Sequence, residues 1–221
     1  MTTRGSICRL ACLVSPLILS ACISLPFGKS EERPPPVMYT LHESSAGLME
    51  TATEATGRII VVVPTPELPP GYDTERIAIQ FEDGRVDYYA DGQWSARLDQ
   101  LMQDVFVASA QSRLPGAIVG KPGLVPAANY RLVLKVTDFG PVYRTSPDTP
   151  PRLNVGLNLT VIALPQDTVS AQFIVKKTAP ASENRLGVVT NELKGLLHAA
   201  LDEALDKAAP YITEPQNLVR R

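Results

Sequence analysis

Histidine and cysteine are nearly missing from this sequence, and the shortage closes several chemistries at once. His42 and His198 are the two histidines, and Cys8, Cys12 and Cys22 the three cysteines, among 221 residues. Neither histidine has a second histidine at i,i+4 and no cysteine is placed to join them, so no metal site is expected. Serine is plentiful, but there is no Gly-x-Ser-x-Gly elbow to raise one into a nucleophile. A P-loop and a Gly-x-Gly-x-x-Gly turn are also missing, which excludes nucleotide-driven work by this chain. Paired acids such as Asp202 and Asp206 read as the solvated face of a helix. Nothing argues for an enzyme. There is no basic run either, with 21 Lys and Arg against 23 Asp and Glu. That balance argues against nucleic acid as a partner and against electrostatic adhesion to anionic lipid.

A long apolar run is missing too, and the one short run present is informative. Leu10 to Leu19 is apolar apart from Ser15 and Pro16, and follows Arg4 and Arg9. A bilayer span needs about 20 apolar residues, so the run fits a secretory h-region behind a positive n-region. It ends in Leu19-Ser20-Ala21-Cys22. Small residues at 20 and 21 fit a narrow protease groove, and the thiol at 22 can become a thioether. The tetrapeptide resembles the lipobox of bacterial lipoproteins residue for residue. Cleavage is expected after Ala21, with a diacylglycerol and an N-acyl chain on Cys22 and no other cofactor. Cys8 and Cys12 leave with the leader, so no internal disulfide is open to the mature chain. Acylation also removes what would be an exposed free thiol, and two or more acyl chains suffice for stable anchoring. Ile23, not an Asp, follows Cys22. The missing inner-membrane retention signal points to the outer membrane, on its periplasmic face.

The expected organisation is a signal peptide at 1–21, a lipidated tether at 22–36, one domain at 37–212 and a tail at 213–221. The tether combines Lys29 to Arg33 with Pro34-Pro35-Pro36 and extends by ~3 Å per residue. Its removal and that of the leader change the charge slightly. The leader holds two of the 21 basic residues and none of the 23 acidic ones, so the mature chain is mildly acidic.

Within the domain, Val37 to His42 and Arg58 to Val63 read as strands, separated by a small polar loop. Pro64, Pro66, Pro69 and Pro70 forbid regular structure. Ile77, Ile79 and Phe81 alternate ahead of the turn signal Glu82-Asp83-Gly84-Arg85, and Val86 to Ala90 returns. From Trp94 the period becomes helical, through Leu98, Leu101, Met102, Val105 and Phe106, as far as Arg113. Ala117 to Val119 is a short strand. Clean alternation follows at Tyr130 to Val136, Leu153 to Val161 and Val169 to Val175, with a loop from Gly140 to Pro151. A helix from Leu186 to Ala208 carries the stripe Val189, Leu193, Leu196, Leu197, Ala200, Leu201, Ala204 and Leu205. The pattern predicts an α+β fold: a single two-layer domain, a mainly antiparallel sheet with two helices packed on one face. Trp94 is expected to anchor the first helix. Tyr39, Tyr88, Tyr89 and Trp94 are also the candidates for contacts with a partner or a ligand groove.

The order of several short stretches resembles a known family. They are Pro36-Val37-Met38-Tyr39-Thr40-Leu41; Pro66-Glu67-Leu68-Pro69, leading to Asp73, Arg76 and Ile77; and Val86 to Trp94 with Leu98 and Leu101. Tyr130 to Phe139 and the Ala-rich last helix complete the set. Together they are similar to the ABC-type transport auxiliary lipoprotein components, which include the lipoprotein of the paraquat-inducible operon. Arg97 departs from the pattern, where family members often carry a proline. The resemblance implies a non-catalytic part of a transporter built around an MCE-domain protein, one that moves phospholipid between membranes. The expected partner is that MCE protein, with self-association compatible with the role. Two further readings stay open: a structural envelope lipoprotein, and a lipid carrier with a groove between helix and sheet.

Overall fold

Three long strands form the body of the fold, and their sequence alternation explains why. In the computed structural model, residues 35–42, 59–146 and 148–212 are described. β6 (Tyr130–Tyr143), β7 (Arg152–Ala163) and β8 (Thr168–Pro180) make an antiparallel meander. Its rows are apolar on one side: Leu132–Val161–Ala171, Leu134–Leu159–Phe173 and Val136–Leu157–Val175. The intervening residues, such as Lys135, Asn158 and Thr160, fall on the other face, as period-2 alternation requires.

The apolar side is covered by α2 (Leu186–Ala208), which lies on β7 and β8. Val189, Leu193, Leu197, Ala200, Leu201, Ala204 and Leu205 are buried against the strands. Their 3–4 spacing makes one stripe. α1 (Leu98–Arg113) packs beside α2 and near the short strand β5 (Ala117–Gly120). It contributes Leu101, Met102, Val105 and Phe106 to the same core.

The other edge of β6 is shared. β2 (Ile59–Val62) runs parallel to its first residues and β3 (Arg76–Phe81) parallel to its last, at Phe81 and Tyr143. Between them, Glu67 makes a single bridge to Lys135: Glu67 N–H donates to Leu134 at 3.0 Å, and Val136 N–H to Glu67 at 2.8 Å. The prolines around Glu67 lack N–H groups, so this stretch follows β6 without a continuous ladder. β5 extends the sheet beyond β2; β4 (Val86–Trp94) and β1 (Val37–Tyr39) extend it beyond β3.

The sheet is therefore α+β and two-layered as expected, but mixed in its pairings. The long ladders are antiparallel, while β1–β4, β2–β5, β2–β6 and β3–β6 are parallel. Parallel pairs need long crossovers, and strand periodicity does not report which strands a crossover joins. Two boundaries also differ. Trp94 ends β4, and the helix begins only at Leu98. β6 continues to Tyr143, where a loop from Gly140 was expected. A bulge between Val136 and Asp138 shifts the alternation by one, so that Phe139 returns to the core at 2 % exposure. The bulge has room because residue 156 is glycine: a Cβ there would lie 2.4 Å from Thr137 Oγ1.

Trp94 is 1 % exposed and its ring sits 6.1 Å from that of Phe139, where β4 meets the meander. Trp94→Ala is expected to cost about 3–5 kcal/mol of stability, read by urea denaturation; a loss under about 1 kcal/mol would show that the indole does not hold the two parts together.

Candidate functional site

Cys22 and Ala21 lie outside the described residues. The four aromatic candidates fall on β1 and β4, and the structure gives each an internal role. Tyr39 lays its ring over Gly92, where a Cβ would come within 2.8 Å of it. The Tyr88 hydroxyl donates to the Gly71 carbonyl at 3.0 Å, and the Arg76 guanidinium lies 3.7 Å from its ring centre. Tyr143 donates to Asn184 Oδ1 at 2.7 Å, which leaves its oxygen to accept from Tyr89 at 2.7 Å. Burial, with Tyr143 alongside, pushes the Tyr89 phenol far above its ordinary value. These three tyrosines are half-buried.

Trp94 is a core residue at 1 % exposure and presents no surface to a partner. The helix–sheet cavity it lines, with Tyr72, Phe139 and Leu193, measures about 10 Å³. That is about the room a single water molecule needs, and far too small for an acyl chain. Between α2 and the meander the facing apolar rows are buried against each other.

A larger space lies between the two helices. Val105, Ala108, Ser109 and Ser112 recur on one face of α1, opposite His198 and Asp202 of α2. His42 and Arg113 complete the lining of a cleft of about 450 Å³. The small side chains at 108, 109 and 112 leave that space unfilled. Arg113, the last residue of α1, bonds Asp202 and reaches both Asp206 oxygens at 3.3 Å. Those carboxylates hold its guanidinium above its already high ordinary pKa. Asp104 stands between Lys121, with which it pairs, and His42 Nε2 at 3.9 Å. His198 Nε2 is 3.2 Å from the Leu41 carbonyl. A carbonyl only accepts, so that nitrogen carries the hydrogen. Ser109 is 7 % exposed and its hydroxyl makes no hydrogen bond to the described residues.

The chain thus brings its two histidines to one cleft, which the sequence did not signal. They are far apart in the chain and belong to different elements. Asp202 and Asp206 were legible as a polar helix face, but their shared arginine was not. Among the described residues no group of three or more His, Cys, Asp or Glu could hold a metal ion. No described helix is long and apolar enough to cross a membrane.

One carboxylate of α2 is strongly perturbed. Lys177 of β8 and Lys207 of α2 both pair with Glu203, lowering its pKa to about 2 from 4.5. A carboxylate depressed on folding stabilises the fold above its unfolded pKa and loses that contribution as pH falls through the folded value. Glu203→Gln is therefore expected to lower the melting temperature at pH 7 and to flatten its decline between pH 4.5 and 2. Parallel melting curves for the two proteins across that range would contradict the pairing.

The model of the family described as ABC-type transport auxiliary lipoprotein component matches residues 39–209. Among solved structures, a Xanthomonas campestris protein superposes with a TM-score of 0.60 at 16% identity, over 80% of this chain and 94% of that one. An uncharacterised protein superposes at 0.58, also with 16% identity, over 81% and 100%. At these identities the likeness shows the fold. The PelC dodecamer of Paraburkholderia phytofirmans aligns over 71% of this chain and 93% of its own at 15% identity, but its TM-score of 0.40 is too low to carry its assembly over. No curated protein matches the sequence.

Proposed function

Because the chain belongs to the family of ABC-type transport auxiliary lipoprotein components, we propose that it is the non-catalytic docking component of an MCE-type lipid transporter. It is held to the periplasmic face of the outer membrane by acyl chains on Cys22. The family match, which spans nearly the whole described domain, carries this reading. The buried contact of α2 with the meander, where the cavity beside Trp94 measures about 10 Å³, favours docking over carriage at that place.

The anchor and the partner are tested separately. Cys22→Ser is expected to leave the folded domain in the soluble periplasmic fraction, read by fractionation and immunoblotting. Continued membrane association of the variant would overturn the lipid anchor. Affinity capture with tagged full-length protein from crosslinked cells should recover the MCE-domain subunit. If that subunit is missing while the bait is folded and membrane-bound, the docking role is wrong.

A further inference from the structure

The cleft between α1 and α2 is not explained by a docking role and carries an inference of its own. Among the described residues lining it, six are polar and five of these can donate hydrogen bonds: His42, Ser109, Ser112, Arg113 and His198. The sixth, Asp202, is occupied by Arg113. Val105 and Ala108 supply an apolar floor. The volume, about 450 Å³, falls in the usual range of small-molecule sites.

Ser109 is the most telling member. Its side chain is mostly buried while its hydroxyl opens onto the cleft; on a helix the carbonyl one turn back is the ready partner for such a hydroxyl. Thr190 of α2 does this, donating to the Leu186 carbonyl at 2.8 Å. Ser109 does not, and it lines the cleft. Arg113 also keeps donors to spare: its Nε makes no bond, and a guanidinium carries five N–H groups.

We propose that this cleft is a binding site for an oxyanion of the phosphate-ester class, taken by the Arg113 guanidinium and the Ser109 and Ser112 hydroxyls, with the two imidazoles closing the other side. A cation is disfavoured because the acids present are already paired, Asp202 and Asp206 with Arg113 and Asp104 with Lys121. Asp202 fixes the guanidinium rather than excluding the ligand. His42 faces Asp104 and Thr40, with Lys121 behind Asp104; His198 of α2 faces the Leu41 carbonyl.

The test is isothermal titration calorimetry on full-length lipoprotein in a maltoside detergent at neutral pH. One arm uses inorganic phosphate and the other dihexanoyl phosphatidylglycerol, whose headgroup is a phosphodiester. Saturable binding at one equivalent is expected in at least one arm. Tighter binding of the lipid assigns the site to a headgroup, and tighter binding of phosphate to a free anion. Arg113→Gln should weaken it about tenfold or more, the loss of a charge-assisted contact. Ser109→Ala, which leaves the packing nearly unchanged, should weaken it several-fold. Lys176→Gln, a cation outside the cleft, should change nothing. No binding of either probe would overturn the proposal. So would binding that survives Arg113→Gln and Ser109→Ala, or that falls as much with Lys176→Gln.

Discussion

Strand β6 is the constraint on which the rest of the structure depends. It is hydrogen-bonded along one edge to β7 for nearly its full length, and along the other in turn to β2, Glu67 and β3. Every other strand joins the sheet through one of these neighbours. Its inward residues Leu132, Leu134 and Val136 start the rows that α2 covers. The register of β6 therefore decides which side chains face the helices, since a slip by one residue would turn every row to the other face. The bulge after Val136 uses that rule locally: it re-aims Phe139 toward Trp94 and so attaches the β3–β4 hairpin to the same core.

Much of this was legible in the sequence. The three long strands and both helices carry clean periodicity, because each has one buried and one wet side. The class of fold followed from their order. What escaped had no periodic signature. Parallel partners are chosen by crossovers, so the places of β2, β3 and β5 around β6 could not be read from their own residues. The Thr137–Asp138 bulge broke the alternation and made β6 look shorter than it is. Trp94 sits at a junction of two periods, and the helical one was extended back over it, although the Ser95 to Arg97 turn intervenes.

The candidate site was less legible still. The tyrosines singled out as contacts are bound to internal partners: Tyr39 over Gly92, Tyr88 beneath Arg76, Tyr89 against Tyr143. The cleft between the helices depends on residues that look unremarkable alone. Ala108, Ser109 and Ser112 read as filler on a polar helix face, yet their small side chains leave a space unfilled between α1 and α2. His42 reaches it only because β1 ends beside α2, where His198 meets the Leu41 carbonyl. A filled core below and a donor-lined cleft above are consistent with one division of labour. The interior supplies rigidity, and recognition is left to the surface.

That division is tested most directly by hydrogen–deuterium exchange on the full-length lipoprotein, alone and with the MCE-domain subunit. The account predicts that β6, β7, β8 and the buried face of α2 exchange slowly in both states, with new protection confined to surface segments when the subunit is added. Fast exchange in the meander, or an exchange pattern that the subunit leaves unchanged everywhere, would contradict it.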